Sequence, residues 1–103
     1  MNQRSDRLRH EILRELSKIL SLEEELSQVV LTGSEISKDL QNMKVFFTAI
    51  DPNMEPHLAK TLQTLSKDLR QKLTKRMRIK RVPNLIFLPD KDLRHMQNLW
   101  QKL

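Results

Sequence analysis

"PHLAKTLQTLSKDLRQKLTKRMRIKRVPNLIFLPD" (Pro56–Asp90) decides the fold, because its apolar pattern changes partway along. Leu58, Leu62, Leu65, Leu69 and Leu73 recur at four, three, four and four. That is one apolar stripe along a helix of about 24 residues. Pro56 suits its first turn, where a missing N–H costs nothing. On a wheel of about 100° per residue, Lys60, Gln63, Thr64, Lys67, Gln71, Thr74, Lys75 and Arg78 fall roughly opposite the leucines. Lys75–Arg81 then holds five cations in seven residues. At Val82 the run turns apolar and β-rich, and Val82–Pro89 reads as a short strand. Pro83 near its start predicts an edge position or the first residues of a strand, since proline cannot donate to a ladder.

Upstream, Leu8, Ile12, Leu13, Leu16, Ile19 and Leu20 stand at helical spacing over residues 6–20, with Ser5 as the expected N-cap. Glu23-Glu24-Glu25 marks the end of that helix or the loop after it. Residues 28–37 and 43–50 are rich in Val, Ile, Thr and Phe, and Lys38–Asn42 lies between them, which predicts a hairpin. Gly33, the only glycine, falls inside the first strand and suggests a bulge or a close backbone approach. Asp51–Pro56 punctuates the chain before the long helix. Downstream, Asp90 or Asp92 can cap a final helix with Leu93, Met96, Leu99, Trp100 and Leu103 on one side. Trp100 would pack that helix onto the sheet or the first helix. The order is α-β-β-α-β-α. It implies an α+β sandwich with helices on one face of a three-stranded sheet.

The totals agree. A chain of 103 residues fits one domain. No apolar run approaches the ~20 residues of a spanning helix, and the amino-terminal stretch has no signal-peptide core. There is no cysteine, so disulfides and thiolate metal sites are excluded. Net charge is +6, and it is concentrated. Residues 60–81 carry nine cations and one acid, net +8, whereas residues 1–25 carry five and six, and residues 26–59 two and four. Such an excess on a folded helix favours an anionic partner, most simply nucleic acid.

Three stretches together resemble the ribosome-binding factor A family, over about residues 4–100. In "RSDRLRHEILRELSKIL" (4–20), Arg4 and Arg7 stand where the family's opening helix carries two arginines three apart. "GSEISKDLQNMKVFFTAI" (33–50) is similar to its strand-turn-strand, through Glu35, Ser37, Asp39 and Leu40. "MRIKRVPNLIFLPD" (77–90) is similar to its closing strand, through Pro83, Leu85, Phe87 and Asp90, with Lys80 where arginine is usual. The resemblance implies a type II KH-like domain, α-β-β-α(α)-β, here plus a short C-terminal helix, spanning 1–103. It implies a cytoplasmic, monomeric assembly factor in ribosome biogenesis and rRNA processing. Such a factor binds small-subunit rRNA and the free small ribosomal subunit without catalysis, cofactor, membrane or small-molecule substrate. Where the family interrupts its long helical region with Ala-x-Gly, this chain has Leu65-Ser66-Lys67. A kink there loses its usual cause, yet Ser66 leaves both one helix and two open.

The expected RNA-binding residues are Lys60, Lys67, Arg70, Lys75, Arg76, Arg78, Lys80 and Arg81, with Arg4 and Arg7 extending the surface. Lysine and arginine neutralise phosphates and release counterions, and the interleaved Gln and Thr can reach phosphate or sugar oxygens. Arg9 and Arg14 could extend the surface in the same way, and Lys38 and Lys44, which flank the hairpin turn, are weaker candidates. Phe46, Phe47 and Phe87 lie in strand runs and are expected in the core rather than stacked on bases. His10, His57 and His95 lack ligand-like spacing, and no nucleophile–base set is readable, so an enzyme is not expected. The competing readings are a KH-like nucleic-acid-binding module without a ribosomal role, and a basic protein-interaction module.

Overall fold

A computed structural model describes residues 3–90 of the chain. Helix α1 (Gln3–Leu22) is followed by a 3-10 turn at Glu24–Leu26, strands β1 (Val29–Ile36) and β2 (Asn42–Ala49), and a second 3-10 turn at Pro52–Met54. Helix α2 (Glu55–Met77) and strand β3 (Asn84–Pro89) complete it. The final helix expected after Asp90 lies outside the described residues. Ser5 lies inside α1 rather than capping it, because the helix already runs at Gln3.

The sheet has the order β1-β2-β3. β1 and β2 form the expected antiparallel hairpin, and β3 lies parallel to β2, from Asn42 opposite Asn84 to Phe47 opposite Pro89. A parallel pair needs a long crossover, and α2 is that crossover. β3 is therefore an edge strand. Val82 and Pro83, both buried, precede its first paired residue, so the ladder asks no donor of the proline.

The hairpin turn is built by side chains. Leu40 N–H donates to Ser37 O, and the Ser37 hydroxyl donates to Asp39 at 2.6 Å. Asp39 also accepts from Gln41 N–H, and these two bonds, the serine's first, hold its carboxyl below the usual range. Leu40 sits at φ 61, a left-handed conformation. Leu31 pairs with Phe47 and Gly33 with Phe46, so Thr32 is the extra residue of a bulge. The alternative of close backbone approach does not hold: a Cβ added at Gly33 would meet nothing within 4 Å.

Strand alternation sets the layers. Met43, Val45, Phe47 and Ala49 of β2 are buried with Leu85 and Phe87 of β3. They meet Ile12, Leu16, Ile19 and Leu20 of α1 and Leu58, Leu62, Leu69 and Leu73 of α2. Both helices thus cover one face. Phe47 and Phe87 are core, whereas Phe46 points the other way and is half-buried. α2 is a single helix through Ser66, whose hydroxyl bonds Gln63 O within the helix, so there is no break at the Leu65-Ser66-Lys67 stretch. It ends three residues before the stretch 57–80 does. Arg78 takes the left-handed C-terminal position at φ 54, where glycine is the usual choice.

Candidate nucleic-acid interface

α2 has four sides. Its leucines face the sheet. On the flank turned to α1, Lys72 Nζ donates to Glu23 Oε1 at 2.9 Å and lies 3.4 Å from Asp68 Oδ2. Arg76 Nε meets Glu15 Oε2 at 3.1 Å. The Arg76 hydrogen bond draws the Glu15 carboxyl below its usual range, and Glu23, then Asp68, raises the Lys72 ammonium. Among the expected RNA-binding residues, Arg76 is thus already occupied by a carboxylate. The wheel carried a signal for this, since Arg76 and Lys72 fall on the leucine side of α2 rather than opposite it.

The flank turned to β3 borders an open groove of about 350 Å³, lined by Gln63, Ser66, Lys67 and Arg70 from the helix and Asn84, Leu85 and Ile86 from the strand. Arg70 Nε donates to Val82 O at 2.8 Å, so this arginine also ties the helix to the start of β3. On the outward side Lys60, Thr64, Lys67, Gln71, Thr74 and Lys75 are exposed. Thr64 and Thr74 donate their hydroxyl protons to Lys60 O and Arg70 O, so they can accept but not donate outward. The glutamines keep both capacities.

Past α2 the connection interleaves apolar anchors with cations. Met77 and Ile79 are half-buried against the core and Val82 is buried, while Arg78, Lys80 and Arg81 are exposed. This interleaving accounts for cations placed directly before a strand: the apolar residues anchor the connection, and the cations between them project.

The helices run in opposite senses, because Glu15 and Glu23 of α1 and the turn after it pair with Arg76 and Lys72 in reverse order. The amino-terminal half of α1, with exposed Arg4 and Arg7, therefore lies at the same end of the molecule as Arg78, Lys80 and Arg81. The hairpin turn carrying Lys38 is also there, since Asn84 N–H donates to Gln41 O. Arg9 is partly engaged by Asp6 and Ser34. Glu23, Glu24, Glu25, Asp51 and Glu55 gather at the opposite end, where His57 Nε2 lies 3.7 Å from Glu25 Oε1. Among the described residues Lys60, Lys67, Lys75, Arg78, Lys80 and Arg81 enter no ion pair, and no helix is long and apolar enough to cross a membrane.

A three-stranded mixed sheet under two antiparallel helices, with a cationic helix back and end, defines a KH-like domain of the RNA-binding class. The family model for ribosome-binding factor A matches residues 4–103. The chain belongs to the ribosome-binding factor A family. Ribosome-binding factor A of Methylobacillus flagellatus is 37% identical over 91 residues, covering 84% of this chain and 71% of that protein. The Thioalkalivibrio sulfidiphilus protein of the same name is 36% identical over 93 residues, covering 84% and 70%. Among solved structures, the crystal structure of ribosome-binding factor A from Thermus thermophilus superposes with TM-score 0.71 at 24% identity, covering 82% of this chain and 93% of that one. A homology model of the Thermus thermophilus factor, as fitted into the cryo-EM map of a 30S complex, gives TM-score 0.69 at 25% identity, covering 80% and 90%.

Proposed function

We propose that this chain is a single-domain, monomeric, cytoplasmic factor that binds the RNA of the small ribosomal subunit during its late maturation, and that it acts by binding alone. Lys60, Lys67 and Lys75 on the back of α2 and Arg78, Lys80 and Arg81 after it form the binding surface, with Arg4 and Arg7 at its end. Arg70 and Lys67 flank the groove beside β3, where Asn84 and Gln63 offer amides to a base edge. Arg76 serves the fold first, through Glu15.

The observation that carries this reading is the separation of cations by use. Those facing α1 are neutralised by carboxylates; those facing solvent on the back of α2 are not. Uncompensated cations on a rigid helix suit a polyanion, whose counterions are released on association. Family membership and the 30S complex of a relative direct the choice to small-subunit RNA. The mechanism is a bias among RNA conformers: binding favours whichever state presents phosphates to this surface.

The test is sedimentation with purified small subunits, large subunits and whole ribosomes at low and moderate salt. Salt-sensitive association with the small subunit alone is expected. Equal association with every particle, or with none, would leave a KH-like domain whose partner lies elsewhere.

A further inference from the structure

The two helices present unpaired cations on either side of a neutral pair. Glu15 and Arg76 meet where α1 crosses α2. Beside them in the chain stand Arg14 and Lys75, both exposed and in no ion pair among the described residues. On a wheel of about 100° per residue, Arg7 and Arg14 fall opposite the buried Ile12, Leu16, Ile19 and Leu20, so α1 has a cationic back of its own. The matching row on α2 is Lys67, Lys75 and, at the C-terminal position, Arg78. The acids of this layer interrupt neither row. Lys72 takes up Glu23 and Asp68, and Arg9 takes up Asp6. Lys18 lies 3.6 Å from Glu15, and Arg14 acts on that carboxyl only through space. Glu11, half-buried, falls one turn before Glu15 on the side turned to α2. Packed helices lie about 8–10 Å apart, so the layer carries two rows of cations flanking a seam of largely cancelled charge.

Single-stranded nucleic acid fits this layer poorly. Ordinary KH domains hold a single strand with a Gly-X-X-Gly loop that clamps its backbone. The only glycine of this chain is Gly33, on β1, and α2 runs unbroken through Ser66, so that clamp cannot form. Single strands are otherwise held by stacking bases on aromatic rings. Phe47 and Phe87 are in the core and Phe46 lies on the opposite side of the sheet, so among the described residues no Phe, Tyr or Trp faces outward from the helices. Double-stranded RNA asks for neither device. It is recognised by shape, through phosphates and 2′-hydroxyls across a wide, shallow minor groove. Two cationic rows supply the phosphate contacts. Gln71, exposed between Lys67 and Lys75 with four residues to each, offers both donor and acceptor to a 2′-hydroxyl.

We propose that the helix layer takes double-stranded RNA, with one phosphate row on Arg7 and Arg14 and the other on Lys67, Lys75 and Arg78. This rests on the RNA-binding reading above and names the form of RNA that the surface accepts. The probes are a labelled RNA duplex of about 16 base pairs, the length a double-strand-binding domain spans, and a uridine single strand with the same number of phosphates. Fluorescence anisotropy with the full chain, over a salt series, reads both. The duplex should bind at least about 10-fold more tightly, through the second row of phosphates it engages. Arg7→Ala with Arg14→Ala should lower duplex affinity about 10-fold and shrink its salt slope by nearly 2, at roughly 0.9 for each phosphate of a double helix. Lys67→Ala with Lys75→Ala should do the same. If the α1 pair of substitutions unfolds the domain by circular dichroism, Arg7→Ala alone decides, with a slope change of about 0.9. Equal or tighter binding of the single strand would overturn the proposal, as would a folded α1 variant with wild-type duplex affinity and slope. Sedimentation with small subunits separates this from the reading it rests on. A chain that binds subunits yet prefers the single strand overturns this inference alone, and one that binds neither subunits nor either RNA overturns both.

Discussion

The two flanks of α2 carry the same residue types and put them to different uses. Towards α1, Lys72 and Arg76 are neutralised by Glu23 and Glu15, and the pairs set the sense of one helix against the other. Towards β3 and solvent, Lys60, Lys67 and Lys75 enter no ion pair among the described residues, and the helix is held chiefly by its buried leucines. A basic helix can therefore be read only after its internal partners are subtracted. The number of cations says that an anion is wanted; the position of the unpaired ones says where.

That contrast can be broken experimentally. The largest effect is expected from Lys67→Glu, Lys75→Glu and Arg78→Glu together. Subunit binding should fall at least about 100-fold, and the slope of log affinity against log salt should shrink by about 2–3, at roughly 0.7–0.9 for each phosphate no longer neutralised. The melting temperature should stay close to wild type, and wild-type-like sedimentation would remove these residues from the interface. Next comes Arg70→Ala, which takes a charge-assisted donor from Val82 O. It should destabilise the domain by about 1–3 kcal/mol in urea unfolding, besides weakening binding. A smaller loss of stability than for Arg70→Ala is expected for Arg76→Ala, because its pair with Glu15 is partly exposed and screened by solvent. Here binding should change less than for Lys75→Ala, and the reverse ranking would undo the division between flanks.

The same pair has a pH signature. The Glu15 carboxyl is depressed in the folded state, chiefly by the Arg76 hydrogen bond. Its contribution is therefore present above the unfolded carboxylate value and is lost as pH falls through the lower folded value. Acid titration of stability should show that small loss in wild type and less of it in Arg76→Ala, where Lys18 and Arg14 still lower the Glu15 carboxyl. The least effect is expected from Gly33→Ala, within about 0.5 kcal/mol, because the bulge leaves open space and a φ that any residue adopts.

Much of this fold was legible. The leucine stripe predicted α2 because burial at four, three, four and four is a local property of one helix. The hairpin followed from two β-rich runs around Lys38–Asn42, and the lone strand glycine marked the bulge. What was not legible was set by distance along the chain. Glu15 and Arg76 are 61 residues apart, and Glu23 and Lys72 are 49 apart, so no window of sequence shows that they meet. Ser5 misled because a good capping residue lies within the helix, which already includes Gln3. Ser66 permits a bend but commits its hydroxyl to Gln63 O, and α2 continues. At the site, exposure of Lys60, Lys67 and Lys75 came from the wheel, whereas the diversion of Arg76 needed the packing of α1.

The connection from Met77 to Val82 has a consequence for chain length. Its anchors, Met77, Ile79 and Val82, stand two and then three residues apart, so deleting Lys80 or Arg81 would take a cation from the surface and shorten the reach between two seated anchors by about 3.3 Å. Insertions and deletions should be excluded there, in a segment that its composition alone would suggest is a permissive loop. The hairpin turn at the same end, held by Ser37, Asp39 and Leu40, has no such spacing to keep. Two neighbouring loops of similar polarity thus differ in what they can absorb: one can be lengthened, and the other is metered residue by residue.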